Sequence, residues 1–390
     1  MTIDTNHPPT LNFLTDEVLE RIETNKAFLR RVWTLENDDR PGFQIGYVGP
    51  RLKGGRPVPS ALFSTEGPDT VRDRLLDPDK FLRAQLAEIE GQLAFRGDYV
   101  PSLSPALGVI GIPSAFGCEV VWWERDLPAA RPAIGDPEEI FDLPRPDVRA
   151  GELGRMLDYT RYFLEQTGGR LPIRLTDLQG PLDAAALIVG HNNFLMAMLT
   201  HPEAIHHLLR MVTDLTIEVA QAQRAIVAEY GGEFVPSLHQ PWLPDGLGFG
   251  VSNDECVMIS AEMHEEFHVP YLNDLAEAFG GIYHHSCGKW THQFSSLEKI
   301  TRLRGLEFGA SEAPYAPVLE HFGGQTMLSC RVGLHRDLKF DGMADYVRRV
   351  LDAAPTTRGL FINVDVTNGI TGDDWPETDL NEIYRLMEVS

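Results

Sequence analysis

The sequence predicts an α/β protein, a (β/α)8 barrel with an N-terminal elaboration, and three observations predict it. Eight short apolar segments read as strands; helical or mixed connections separate them; and reactive side chains collect where those strands end. Most of the eight are near-continuous apolar runs, as strands covered on both faces must be. In chain order they are Phe43 to Val48, Gly108 to Ile112, Pro172 to Asp177, Glu233 to Leu238, Gly281 to His285, Gly305 to Ala310, Thr326 to Cys330 and Gly359 to Val364. Helices are expected from Phe81 to Phe95, from Pro202 to Gly231, after the N-cap Ser260, and from Met343 to Leu351. The second of these carries an apolar stripe of Ile205, Leu208, Leu209, Val212 and Leu215, the spacing of one helix face. Residues 1–390 are read as a single barrel domain, with the elaboration inside 1–100. The Pro-rich stretch Leu127 to Pro146 reads as a surface connection.

Composition excludes several classes of function. Hydrophobic residues make up 43% of the 390 and charged residues 23%, which suits a soluble globular protein with ample core. The formal charge of −23 argues against nucleic acid or an anionic membrane as partner, because both demand a basic surface. It also disfavours a polyanionic substrate unless arginines are gathered locally. No apolar run approaches the roughly 20 residues that span a bilayer, and the N-terminal stretch lacks the charge and apolar pattern of a secretory signal. The four cysteines, Cys118, Cys256, Cys287 and Cys330, therefore read as free thiols or metal ligands, and the expected compartment is the cytoplasm.

The most informative motif is His285-Ser286-Cys287-Gly288. In an extended segment residues i and i+2 point the same way, so the imidazole of His285 and the thiol of Cys287 project together. Both are good zinc ligands, and Cys330 can complete a set of three that leaves a fourth position for substrate. A lone H-x-C also arises by chance, and free cysteine is among the most buried residue types, so burial stands beside metal binding. Asp177, ending Ile173 to Asp177, suits acid–base work or the capping of the next helix. His239 and Gln240 suit a pocket wall. Arg331 suits a bidentate grip on a substrate carboxylate or an outward orientation, since neighbours on a strand alternate. Asp254 and Glu255 suit helix capping, and Cys256 is a spare thiol. His264-Glu265-Glu266-Phe267-His268 matches the H-E-x-x-H of zinc peptidases, but Met263 and Phe267 mark that helix's buried side and no third ligand follows. No phosphate loop, nucleophile elbow or dinucleotide fingerprint is present.

Several blocks in fixed order resemble the uroporphyrinogen decarboxylase superfamily, from roughly residue 38 to the C-terminus. They are Asn37-Asp38-Asp39-Arg40-Pro41, Ala115 to Glu119, Gly180-Pro181, Thr200 to Glu203, Ser260 to Tyr271, and His285 to Gly288. The resemblance implies a TIM barrel and explains the H-E-x-x-H string as family helix sequence. An arginine-rich R-Q-A-G-R stretch, which in true uroporphyrinogen decarboxylases binds substrate carboxylates, is missing here. The H-x-C-G block is similar to that of the zinc-dependent branch, which moves a methyl group from a methylated corrinoid protein to a thiol. That branch implies zinc held by His285 and Cys287 and a corrinoid supplied by a partner protein, since no D-x-H-x-x-G corrinoid motif occurs in this chain. Its second cysteine belongs in the last strand region, where this chain reads Asn363-Val364-Asp365-Val366-Thr367-Asn368-Gly369. The third ligand is then Cys330 or Asp365, or the site binds no metal. Asp177 and His239 are the expected catalytic residues, and Gln240, Arg331, Asn363 and Asp365 the expected substrate contacts. The expected partners are a small-molecule substrate and a corrinoid protein, with a homodimer as candidate assembly. A metal-independent decarboxylase and a non-enzymatic corrinoid- or tetrapyrrole-binding barrel are the alternatives.

Overall fold

A computed structural model describes residues 10–46, 62, 68–310, 312–331, 340–365 and 377–388. Its centre is a parallel sheet of six strands in the order Phe249–Ser252, Ile282–Ser286, Leu303–Gly309, Met327–Arg331, Leu360–Asp365 and Gly42–Gly46. A second parallel pair, Ile173–Arg174 with Phe234–Val235, is joined to Leu103 by an isolated bridge. Single backbone hydrogen bonds carry the chain across the gaps, from Gly250 N to Pro236 O (2.8 Å) and from Asp98 N to Phe43 O (2.7 Å). The fold is a parallel α/β barrel with helices on the outside.

Two expectations about strands are corrected. Gly108 to Ile112 does not form a strand; Gly111–Ala115 is a short helix, and Leu103 takes the place beside Ile173. A strand not expected from the sequence, Phe249–Ser252, lies next to the His285 strand. Its run Phe249-Gly250-Val251-Ser252 is too short, and too rich in small residues, to stand out against the Gly/Pro-rich stretch before it. The helices follow the expected caps and stripes. Pro202–Glu229 buries Ile205, Leu208, Leu209, Val212 and Leu215. Ser260 Oγ accepts the Met263 N–H at 3.2 Å, although the helix it starts breaks at His268 before resuming as Val269–Phe279.

Helix Asp16–Trp33 connects the N-terminal segment to the barrel floor. The Trp33 ring meets Tyr283 edge-on at 4.9 Å, and its Nε1 donates to the Trp242 carbonyl at 2.8 Å. Gly305 makes room for both rings, since a Cβ there would lie 2.8 Å from each. Asn37 ties the first strand to the last: its amide donates to the Arg40 and Thr357 carbonyls and its oxygen accepts the Gly359 N–H. Asp98, buried, takes both Arg40 Nη atoms and the Phe43 N–H. No single helix among the described residues is long and apolar enough to cross a membrane.

Candidate functional site

Register decides which side chains enter the barrel. Laterally paired residues of parallel strands share a face, so Ser252, His285, Glu307 and Ser329 form one inward row. Two residues further on, Gly309, Arg331, Asn363 and Gln44 form the next inward row. Phe308, Cys330 and Ile362 fall between these rows and face the helices.

This alternation corrects the expected third ligand. Cys330 is fully buried on the outer face, against Tyr346, whose hydroxyl donates to the Cys330 carbonyl at 2.6 Å. Burial pushes its thiol up to about 12. Cys256, the spare thiol, is likewise buried, with its Sγ 3.4 Å from Ser286 Oγ. Neither belongs to a group able to hold a metal among the described residues.

His285 and Cys287 do come together, with Cys287 Sγ 3.5 Å from His285 Nε2. Asp254 joins them: its Oδ1 lies 3.9 Å from the same Nε2 and accepts the Cys287 N–H at 2.6 Å. The three ligand atoms lie within 4.8 Å of one another. Ligands about 2.0–2.3 Å from a tetrahedral zinc stand roughly 3.3–3.8 Å apart, so this trio needs only small adjustments to close on one ion. Asp254 is itself positioned, because buried Asp183 accepts the N–H groups of Asp254 and Glu255 at 2.7 and 2.9 Å.

On its other side His285 meets Glu307, with Nδ1 to Oε2 at 3.3 Å, and His239 Nδ1 stands 3.3 Å from the same oxygen. His285 Nδ1 and Glu307 Oε2 are buried and form no hydrogen bond at this geometry. His239, His285 and Glu307 also lie close enough to surround an ion. Their rings argue against it: the two imidazoles stack at 4.1 Å with planes only 13° apart. A bound metal lies near the plane of its imidazole, and nearly parallel stacked planes share no such point. Glu307 instead has the place of the carboxylate that orients a metal-binding histidine from behind.

The charges agree with this reading. Burial opposes charge on His285, but the Glu307 carboxylate outweighs it and raises the imidazole to about 10. Glu307, despite its burial, is held down to about 2, chiefly by charged His285 and with help from Arg331. Burial and the neighbouring His285 push His239 down to about 3, so His239 is neutral, with its Nε2 2.9 Å from Ser252 Oγ. Arg331 points inward: Nε is 3.4 Å from Glu307 Oε1, and Nη2 donates to Cys287 Sγ at 3.3 Å. Glu312 lies 3.9 Å from Arg331 Nη2 and accepts the Gly288 N–H.

The remaining expected residues divide. Asp177 caps its own turn, accepting the Gln179 N–H and side-chain amide, and burial raises its carboxyl above the usual range. The Gln240 carbonyl accepts the hydroxyls of Tyr283 and Ser329, while its side-chain oxygen is buried without a partner. Asn363 accepts from Gln44 at 3.4 Å. The Asp365 side chain and residues 366–369 lie outside the described residues. His264 and His268 are buried in the helix layer, 3.2 Å apart and capped by Ser296, away from this site.

Sequence reasoning missed Glu307 and Arg174 and read Asp254 only as a cap. Glu307 and Arg174 share a signal, a lone charge in the middle of an apolar strand run. Asp254 carried none, because the strand that delivers it went unrecognised.

Known proteins resemble this chain in sequence over part of its length and in fold over most of it. The model of the uroporphyrinogen decarboxylase (URO-D) family matches residues 71–239. The uroporphyrinogen decarboxylase of Xanthomonas campestris pv. campestris (strain B100) is 30% identical over 176 residues, covering 43% of this chain and 44% of the relative. That of Xanthomonas oryzae pv. oryzae (strain PXO99A) is 31% identical over 226 residues, covering 56% and 54%. The chain thus spans about half the length of the curated relatives it matches. A methyltransferase from Methanosarcina mazei shares the fold over 94% of this chain and 98% of its own, with a TM-score of 0.63 and 15% identity.

Proposed function

The chain belongs to the uroporphyrinogen decarboxylase superfamily, and we propose that it is a zinc-dependent methyltransferase-like enzyme acting between a methylated corrinoid protein and a thiol. One observation carries the reading: Asp254, His285 and Cys287 gather three unlike ligand atoms within 4.8 Å, with Glu307 behind the histidine. Nitrogen, sulfur and oxygen at these separations suit zinc, and three protein ligands leave a fourth position for an incoming group. Zinc at that position would supply the charge that keeps an incoming thiol as its thiolate at neutral pH.

The chain's own residues do the rest. Glu307 attracts the proton of His285 to Nδ1 and so leaves Nε2 free to bind. Arg331 fixes Cys287 Sγ by its N–H and is steadied by Glu307 and Glu312. Neutral His239, held between Glu307 and Ser252, walls the site without adding a charge that would compete with the ion. A methylated corrinoid protein would supply the methyl group there, and the chain's residues would hold the acceptor thiolate to receive it.

The decarboxylase reading rests on the names of the curated relatives and on the family match at 71–239. That match stops at His239, short of Asp254, His285, Cys287, Glu307 and Arg331. Metal analysis separates the two. Protein purified without chelators is expected to carry about one zinc per chain. Cys287→Ser and Asp254→Asn should lose it, and Cys330→Ser should keep it. Wild-type protein free of zinc under those conditions would overturn the reading in favour of the metal-independent one.

A further inference from the structure

Arg174 is a buried charge with no counter-ion among the described residues. It leaves the strand Ile173–Arg174 into the barrel interior and is 4% exposed. Nε donates to Ser102 Oγ at 2.5 Å, and Nη1 donates to the His239 carbonyl at 2.9 Å and reaches those of Leu238 and Ser237 at 3.3 and 3.5 Å. Nη2 is buried with no partner. No carboxylate pairs with this guanidinium among the described residues, whereas Arg331 has Glu307 and Glu312 and Arg40 has Asp98. Its electrostatic neighbours are Tyr99, Tyr283 and Glu307, the last two on strands across the barrel, and Glu307 is already engaged by two histidines and Arg331.

A guanidinium deprived of water is costly unless an anion answers it. The Ser102 hydroxyl answers the Nε N–H and backbone carbonyls answer those on Nη1, while the two on Nη2 remain open to an oxygen acceptor. Burial pulls the group down to about 10, which still leaves it charged at neutral pH. The grip on the His239 carbonyl places Arg174 one residue from the His239–His285 stack. One arginine suits one negative charge, in keeping with a chain whose overall acidity disfavours polyanions.

We propose that Arg174 anchors an oxyanion subsite beside the metal-ligating residues, and that the thiol substrate is a small molecule bearing a carboxylate that Arg174 Nη2 binds. The carboxylate half of this inference stands on Arg174 alone; the thiol half rests on the methyl-transfer reading above. Isothermal titration separates them with three probes: propionate, 3-mercaptopropionate and 1-propanethiol, each against zinc-loaded and metal-stripped protein. Propionate is expected to bind both forms, and Arg174→Gln to weaken it at least tenfold. On the zinc form 3-mercaptopropionate should bind at least tenfold tighter than 1-propanethiol, and Arg174→Gln should erase that difference. Should Arg174→Gln fail to fold, Arg174→Lys and the wild-type contrast between the two thiols carry the test. Propionate binding that is absent from the wild type, or equal in wild type and variant, overturns the subsite. Propionate binding with no affinity for either thiol on the zinc form supports the subsite and sinks the thiol reading.

Discussion

Glu307 determines what His285 can do. A carboxylate 3.3 Å from Nδ1 holds a proton on the far side of the ring from Cys287, so Nε2 is the nitrogen that faces Asp254 and Cys287 and the one that gives up its proton to an ion. Removing that charge while keeping its shape, as in Glu307→Gln, should leave all three ligands in place yet weaken zinc binding by about 10–100-fold, measured by competition with a chelator. Protonation gives a second prediction. Because Glu307 lifts His285 to about 10, the metal-free imidazole is charged at neutral pH, and an ion must displace its proton to bind. Zinc uptake should therefore release protons, and apparent affinity should rise as the pH climbs toward about 10 and fall below neutrality. Calorimetry in buffers of different ionisation enthalpy counts those protons, and a pH-independent affinity would contradict the assignment of His285 Nε2 as ligand.

At the scale of elements, two strands must approach closely for His239 to reach Glu307. Gly250 permits it: a Cβ there would stand 2.2 Å from Ser237 Oγ and 2.9 Å from Ser237 Cα. Ser237 Oγ in turn accepts the His239 N–H at 3.0 Å, so the turn that carries His239 is shaped by a glycine on the neighbouring strand. Gly250→Ala is expected to cost about 1–3 kcal/mol of stability, read by chemical denaturation. The same push on Ser237 should loosen the stacked His239–His285 pair, visible as a change in the histidine resonances of the folded protein. An alanine variant with unchanged stability and unchanged histidine signals would show that the strands have slack at this point.

At the scale of the whole molecule, the barrel depends on joints far apart in sequence. Asn37 spans 320 residues to reach Thr357, and its three hydrogen bonds link the segment before the first strand to the one before the last. Asn37→Ala leaves the buried Gly359 N–H and the Arg40 carbonyl unanswered, while the Thr357 carbonyl keeps the Leu360 N–H, and should destabilise the fold by about 2–4 kcal/mol, seen as a lower denaturation midpoint with an unchanged slope. Such joints show how far the sequence reaches. Its apolar runs already predict seven of the strand positions, because burial on both faces imposes continuous hydrophobicity whatever the neighbours are. It also predicts His285 with Cys287, because i and i+2 on one strand share a face by local geometry alone. Chain adjacency, however, does not say which face a strand turns inward. Cys330 and Arg331 are equally plausible by position, and only register against Phe308, Gly309 and Asn363 sends the thiol to the helices and the guanidinium to the site. Asp254, Glu307 and the unanswered charge of Arg174 became legible only in three dimensions, since each acquires its role from side chains brought in by other strands.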